Sequence, residues 1–157
     1  MKFAGKAGLW LGATIALAAL TFAGGQDEAL SKGEKILNAS CITCHDLRKV
    51  QTQALDAEGW TKIVNAMVEK GAKVQKGDIP MLVRFLEDNY GPLPEGPGKA
   101  IVLEKCTVCH DLSRVRQHLA TPEEWADTLG AMENEGLMLN DEEFATVLKY
   151  LARNFRN

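Results

Sequence analysis

The most constraining feature of this sequence is a repeat with an offset of 65 residues, which includes all four cysteines. Segments 41–45 and 106–110 both read Cys-x-x-Cys-His. The same shift superimposes further identical pairs without a gap: Leu47 and Leu112, Val50 and Val115, Trp60 and Trp125, Met67 and Met132, Gly71 and Gly136, Leu86 and Leu151, Asn89 and Asn154. Self-similarity at a fixed offset indicates one supersecondary module that is present twice.

The sequence predicts a break in regular structure between the two copies, because residues 91–98 contain three prolines and three glycines. Such a run supports neither a helix nor a strand and is typical of a linker. We therefore predict a first module over 26–90, a linker over 91–98 and a second module over 99–157.

The start of the chain predicts a secretory signal peptide over 1–23. Lys2 and Lys6 precede a run of 17 uncharged residues, 7–23, which closes with small side chains. A basic start, an apolar stretch and a small-residue exit form the pattern of an export signal. The alternative is an uncleaved N-terminal membrane anchor, although the hydrocarbon core usually needs about 20 apolar residues. In both cases we expect the rest of the chain to be exported, in a bacterium to the periplasm.

Each copy predicts three helices and no strand, so the expected fold class is all-α. In segment 57–70 the apolar residues Trp60, Val64 and Met67 recur at helical spacing. We expect another helix to lead from about residue 29 into the first cysteines, and a last one to begin at about residue 79. The second copy repeats this pattern.

Helix ends are marked by specific residues. Thr121 suits an N-cap, Pro122 suits the first helical position, and Glu124 completes a capping box. Gly71 and Gly136 stand where helices commonly end in a residue with left-handed backbone.

The size of each copy predicts an internal cofactor. Only 6% of the chain is aromatic, and a module of roughly 60 residues rarely builds a sufficient core without disulfides, a metal or another staple. The two motifs indicate which cofactor, because Cys-x-x-Cys-His is the pattern of c-type haem attachment. We therefore predict two haem c groups. Their attachment residues are Cys41, Cys44, Cys106 and Cys109, and their proximal iron ligands are His45 and His110.

Other uses of the cysteines stay open as alternatives. Redox-active disulfides usually occur near a βαβ pattern, which is not found here. One zinc ion held by four thiols would need ligand pairs much closer in sequence than 65 residues. Two structural disulfides are compatible with an oxidising compartment.

The sixth iron ligands are predicted to be Met67 and Met132. Beyond Met1, they are the methionines that coincide under the repeat, and each follows a shared tryptophan by seven residues, about two helical turns. The alternative is that both methionines only fill the core. His118 is expected at the surface rather than on iron, and an open sixth position at one haem is a further alternative.

The charge balance excludes some partners. The chain has a net charge of −3, from 18 basic and 21 acidic residues, so a nucleic-acid binder is not expected. Removal of the signal peptide would leave 16 basic residues, a net charge of 16 − 21 = −5. An acidic protein of this kind suits partners with basic patches in brief, salt-sensitive encounters.

The two motifs, the downstream tryptophan and methionine, and the tandem modules resemble a dihaem c-type cytochrome. The pattern from Cys41 to Asn89, repeated from Cys106 to Asn154, resembles the dihaem-binding domain of quinohaemoprotein amine dehydrogenase alpha subunits. It is also similar to the single-haem cytochrome module of green-bacterial reaction centres. The dehydrogenase family pairs one of its haems with two histidines, whereas the first copy here contains only His45.

The resemblance implies electron transfer between exported redox proteins, with a dehydrogenase as a candidate partner, through two tandem three-helix cytochrome c modules. No enzymatic activity is expected, because the propeller and quinone-bearing parts of such dehydrogenases are missing. No membrane association is expected after signal cleavage. The alternative function is a haem-based gas sensor or ligand-binding module with one open iron site.

Overall fold

The structure is a computed structural model that describes residues 32–157. Every regular element in this range is a helix, and the range contains no strand, so the all-α prediction is confirmed. The predicted signal peptide over 1–23 lies outside the described residues. None of the helices in the described range is long and apolar enough to cross a membrane.

The first half of the described chain, 32–90, contains four helices. They are α1 (32–40), α2 (Arg48–Gln51), α3 (Ala57–Glu69) and α4 (Ile79–Tyr90), with a 3₁₀ turn at Lys76–Asp78 before α4. The second half, 91–157, repeats this order. Its helices are α5 (Lys99–Lys105), α6 (Ser113–Gln117), α7 (Pro122–Asn134) and α8 (Asp141–Asn154), with a 3₁₀ turn at Cys106–Val108 after α5.

The halves therefore differ from the three-helix prediction by one short helix each. Helices α2 and α6 directly follow the two cysteine motifs and span only one turn or slightly more. A helix this short has no room for an apolar period, so sequence pattern alone cannot reveal it.

The predicted helix ends are confirmed. The Thr121 side chain accepts from the Glu124 amide, and the Glu124 carboxylate accepts from the Thr121 amide, which completes the capping box at the start of α7. Gly71 and Gly136 follow α3 and α7 with φ of 102° and 108°. Only glycine adopts such angles without a steric cost, so both glycines end their helices as expected.

The buried side chains form two separate clusters, one in each half. The first cluster consists of Leu37, Val50, Trp60, Val64, Leu82, Val83, Phe85 and Leu86. The second consists of Leu93, Val102, Cys106, Leu112, Val115, Ala120, Trp125, Leu129, Val147, Tyr150, Leu151 and Phe155. Most members occupy positions that correspond under the 65-residue offset.

The first and last helices of each half approach closely at a glycine. A Cβ atom on Gly33 of α1 would lie 2.3 Å from the Cβ of Phe85 on α4. The corresponding atom on Gly98, just before α5, would lie 2.4 Å from the Cβ of Tyr150 on α8. Both glycines are therefore required by close packing, and this pair of the repeat was not singled out from the sequence.

Candidate haem cavities

The first half encloses a cavity of about 610 Å³ between α1, α3 and α4, a volume typical of sites that hold a cofactor-sized ligand. The predicted attachment residues Cys41 and Cys44 line it together with His45. Trp60 and Met67 on α3 line the same cavity. The remaining wall is mainly apolar and includes Leu37, Val64, Leu82 and Leu86. Every residue predicted for the first site therefore meets at one cavity.

The second half has a corresponding cavity of about 430 Å³, which is more open to solvent. His110, Trp125 and Met132 line it, at the positions that match His45, Trp60 and Met67. Cys106 and Cys109 are not among the lining residues, since Cys106 packs into the core cluster and Cys109 is exposed. The second cavity thus joins the predicted iron ligands but not the attachment sulfurs.

The two motif histidines are oriented in the same way. His45 Nδ1 lies 3.0 Å from the Asp46 carbonyl oxygen, and His110 Nδ1 lies 2.8 Å from the Asp111 carbonyl oxygen. A carbonyl oxygen can only accept, so Nδ1 carries the proton in both rings. This hydrogen bond selects the tautomer whose Nε2 lone pair is available to a metal.

The cysteines are free thiols, and burial raises the pKa of two of them. The pKa of Cys41 is raised and that of Cys106 is raised to about 11, in both cases because burial disfavours the thiolate. Across residues 32–157, no three His, Cys, Asp or Glu side chains converge on a possible metal position. This part of the chain therefore offers no cluster of side chains that would support the zinc alternative.

Two tryptophans stand at matching positions but differ in hydrogen bonding. Trp60 is 1% exposed and its Nε1 has no hydrogen-bond partner. Trp125 is 3% exposed and its Nε1 donates to the Phe155 carbonyl oxygen at 2.7 Å. Buried donors in proteins are usually paired, so the indole N–H of Trp60 is the exception of the two.

The methionines of the described range differ in burial and in whether they line a cavity. Met67 and Met132 are half-buried, and each lines a cavity with its histidine. Met138 is 81% exposed, and neither Met81 nor Met138 lines either cavity. Of the methionines in the described range, only the pair predicted from the repeat therefore faces a candidate site.

His118 lies at the surface, as predicted, but it also lines the second cavity. Its ring stands edge-on to Trp125, with centroids 4.6 Å apart, and its Nε2 lies 3.3 Å from Thr128 Oγ1. Thr128 donates its own hydroxyl proton to the Glu124 carbonyl oxygen. It therefore accepts from His118, whose Nε2 carries a proton in this arrangement.

The charged residues around the cavities differ between the halves. Lys49, Lys62 and Lys70 line the first cavity. At the matching positions the second half has Arg114, Asp127 and Glu135, of which only Arg114 lines the cavity. The first cavity therefore has a more positive rim.

Sequence reasoning missed one polar residue in the wall of the first cavity. Ser40 is buried, and its hydroxyl donates to the Lys73 carbonyl oxygen at 2.9 Å. This bond ties the end of α1 to the loop after α3. Because the repeat has Lys105 at the matching position, comparison of the two copies offered no signal for Ser40.

Comparisons of the chain with protein-family models, with characterised proteins and with solved structures returned no match.

Proposed function

We propose that this chain is a dihaem c-type cytochrome that passes single electrons between redox proteins. The observation that carries the proposal is the matching set of donors at two cavities. In both halves a motif histidine with a free Nε2 lone pair lines the same cavity as a methionine 22 residues further on. Because the same two residue types, at the same spacing, line a cavity in both copies, we favour iron binding by these methionines over a role in filling the core.

In this proposal the first haem would be attached through Cys41 and Cys44, and its iron bound by His45 and Met67. The second would be attached through Cys106 and Cys109 and bound by His110 and Met132. When bound, each haem supplies a one-electron redox couple. Attachment at the second site requires the Cys106–Val108 turn to adjust, because those sulfurs lie off the cavity wall.

The protein residues contribute three effects. Histidine and methionine would be the two protein ligands of each iron, which would leave no place for a substrate and would raise the reduction potential relative to two histidines. The mainly apolar wall would limit the access of water to the bound group, and Lys49 and Lys70 at the first cavity could pair with its carboxylates. Each transfer then moves one electron, so that the donor protein is oxidised and the acceptor protein is reduced.

We further propose that the protein acts after export, in a bacterium in the periplasm. Its donor and acceptor would be redox proteins with basic patches, and a dehydrogenase is a candidate donor. The basis is the N-terminal pattern of 1–23, the acidic balance of the chain and the resemblance to dihaem domains. We propose no enzymatic activity for the chain itself.

Covalent attachment is the direct test. The full chain is expressed together with the c-type haem maturation machinery and its mass is measured after denaturation. We expect two haem additions, and one fewer in each of the double variants Cys41→Ala/Cys44→Ala and Cys106→Ala/Cys109→Ala, which remove both thioether bonds of one haem. Thr43→Ala, which changes a neighbouring motif residue but no sulfur, serves as the control and should keep both. A wild-type chain without covalent haem would contradict the proposal.

A gas-binding module is the second candidate, and the greater openness of the second cavity is the observation that favours it. The two functions differ in their response to carbon monoxide. A reduced iron that is bound by both histidine and methionine resists carbon monoxide, whereas an open iron binds it readily. Binding to one haem per chain would favour the sensor.

A further inference from the structure

The turns that follow α3 and α7 have the same backbone geometry. Gly71 and Gly136 have φ angles of 102° and 108°. In each turn the glycine amide donates to the carbonyl oxygen three residues earlier, and the next amide donates to the carbonyl oxygen five residues earlier. The four N···O distances lie between 2.9 and 3.0 Å. This pair of bonds is the Schellman motif, so the repeat keeps the shape of the turn in both halves.

The two turns carry opposite charges. Segment 70–77, the basic turn, contains three lysines and no acidic residue, a net charge of +3. The matching segment 135–142, the acidic turn, contains three carboxylates and no basic residue, a net charge of −3. The residues that carry these charges are all exposed: Lys70, Lys73, Lys76, Glu135, Asp141 and Glu142.

These charges are not neutralised within the described chain. Across residues 32–157, none of the six takes part in an ion pair, and none of the lysines of the basic turn is paired with a carboxylate of the acidic turn. Like charges that lie close together on a surface repel one another. Each turn is therefore stabilised by contact with a surface of the opposite sign.

The acidic turn also exposes an apolar side chain. Met138 is 81% exposed and stands at the position that matches Lys73. The methylene stem of a lysine packs on apolar surface while its ammonium group stays in water, and the unbranched side chain of methionine adapts to such a contact. The acidic turn thus offers carboxylates for lysine ammonium groups and an apolar contact for lysine stems.

We propose that the protein associates with a second copy of itself, with the basic turn of one copy on the acidic turn of the other. The chain carries both surfaces, so a second copy supplies the complement of each. The contact is heterologous, because its two surfaces come from different halves of the chain. It goes beyond the proposed function and needs no cofactor.

The test measures the association constant of the full chain by sedimentation. The basic-turn variant is Lys70→Glu/Lys73→Met/Lys76→Asp, and the acidic-turn variant is Glu135→Lys/Met138→Lys/Asp141→Lys. Each change installs the residue that the other turn has at the matching position, so the shared backbone geometry should accept it. The exchange variant carries all six changes and has the net charge of the wild type.

We expect the wild type to associate reversibly at low ionic strength and to dissociate at high salt, because the contact is electrostatic. Each single-turn variant should lower the association constant by about tenfold or more, since the two surfaces then have the same sign. The exchange variant should recover most of the association, because its turns again differ in sign.

The control is Arg84→Glu/Arg153→Glu/Arg156→Met, which changes three exposed arginines outside both turns. Its net charge changes by −5, as in the basic-turn variant, but its association should stay close to that of the wild type. Circular dichroism checks that each variant keeps its helices. If one single-turn variant does not fold, the other decides the test.

Three outcomes overturn the inference. The first is a wild type that stays monomeric at low ionic strength up to about 1 mM protein, which would leave the acidic turn to a basic partner protein. The second is an equal loss in the control and in the basic-turn variant, which would assign the effect to overall charge. The third is an exchange variant that stays as weak as the single-turn variants.

Failure of this inference is distinguishable from failure of the proposed function. The sedimentation comparison does not depend on bound haem, so it decides the inference even if the wild-type protein attaches none. A monomeric wild type that carries two haems would leave the proposed function standing.

Discussion

The first cavity is larger and has apolar walls, whereas the second is smaller, more open and partly polar. Ile63 lines the first cavity, and its match in the second is Thr128, which is hydrogen-bonded to His118. His118 itself replaces Gln53 of the first half. These two differences between the halves are linked, because the Thr128 hydroxyl accepts a hydrogen bond from the His118 ring. The two copies thus share the histidine and methionine that line each cavity, whereas neighbouring residues that contact each other differ together.

This difference has a consequence for the proposed redox centres. Apolar walls and nearby cations both favour the reduced, less positive state of a haem iron. The first cavity has both features to a greater degree than the second. We therefore expect the first site to have the higher reduction potential, so that electrons entering at the second site would pass to the first.

The largest expected effect tests whether the halves pack alike at their helix crossings. Gly33→Ala and Gly98→Ala each force a Cβ into a neighbouring side chain at under 2.5 Å, so each should lower the free energy of unfolding by about 1–3 kcal/mol. Gly130→Ala is the control, because Gly130 lies within α7 with no atom near its missing Cβ, and it should stabilise the protein by about 0.5–1 kcal/mol. Denaturant unfolding measures all three. A neutral Gly33→Ala or Gly98→Ala would show that the crossing is not closely packed.

A smaller effect separates the two tryptophans. Trp60→Phe and Trp125→Phe remove the same volume, but only Trp125→Phe removes a hydrogen bond, the one to the Phe155 carbonyl oxygen. We expect Trp125→Phe to cost about 0.5–1.5 kcal/mol more than Trp60→Phe. The difference between the two unfolding free energies is the quantity to compare. Equal costs would mean that Trp60 has a hydrogen-bond partner after all.

Much of this arrangement was accessible from the sequence, and the reasons differ between residues. Helices α3 and α7 span 13 residues each, long enough for the apolar period to show, and Thr121 with Glu124 marks a helix start through local chemistry alone. The sequence singles out Met67 and Met132 because they occupy matching positions in the two copies of the repeat. These signals are local or depend on the repeat.

The features that could not be predicted from the sequence depend on tertiary contacts. Arg48 corresponds to Ser113 under the 65-residue offset. This difference between the copies does not indicate that the Arg48 side chain donates to the carbonyl oxygen of Thr107, 59 residues further along the chain. His118 was expected at the surface and lies there, but its contact with Thr128 depends on how α7 packs beside the loop after α6. The unpaired Nε1 of Trp60 follows from packing in the same way.

The smallest expected effect concerns charge. Lys70→Glu gives the first site the charge that Glu135 has at the matching position, so it should lower the potential of the first site. Glu135→Lys should raise that of the second. Both side chains are exposed, so the shifts should be modest and should shrink at high salt. Lys149→Glu, an exposed change of equal charge on α8, is the control for the overall charge. Equal shifts of the first site's potential in Lys70→Glu and Lys149→Glu would show that the effect comes from the overall charge and not from the charge beside the cavity.

The most direct test of the central claim is the far-red spectrum of the ferric, haem-loaded protein, normalised per haem. The account predicts a sulfur–iron charge-transfer band worth two sites, which falls by half in Met67→Ala and by half in Met132→Ala. His118→Gln, the control, should leave the band intact, since His118 Nε2 is engaged with Thr128. A band worth one site that doubles in His118→Gln would instead put His118 on the second iron, and a band that survives both methionine changes would contradict the account.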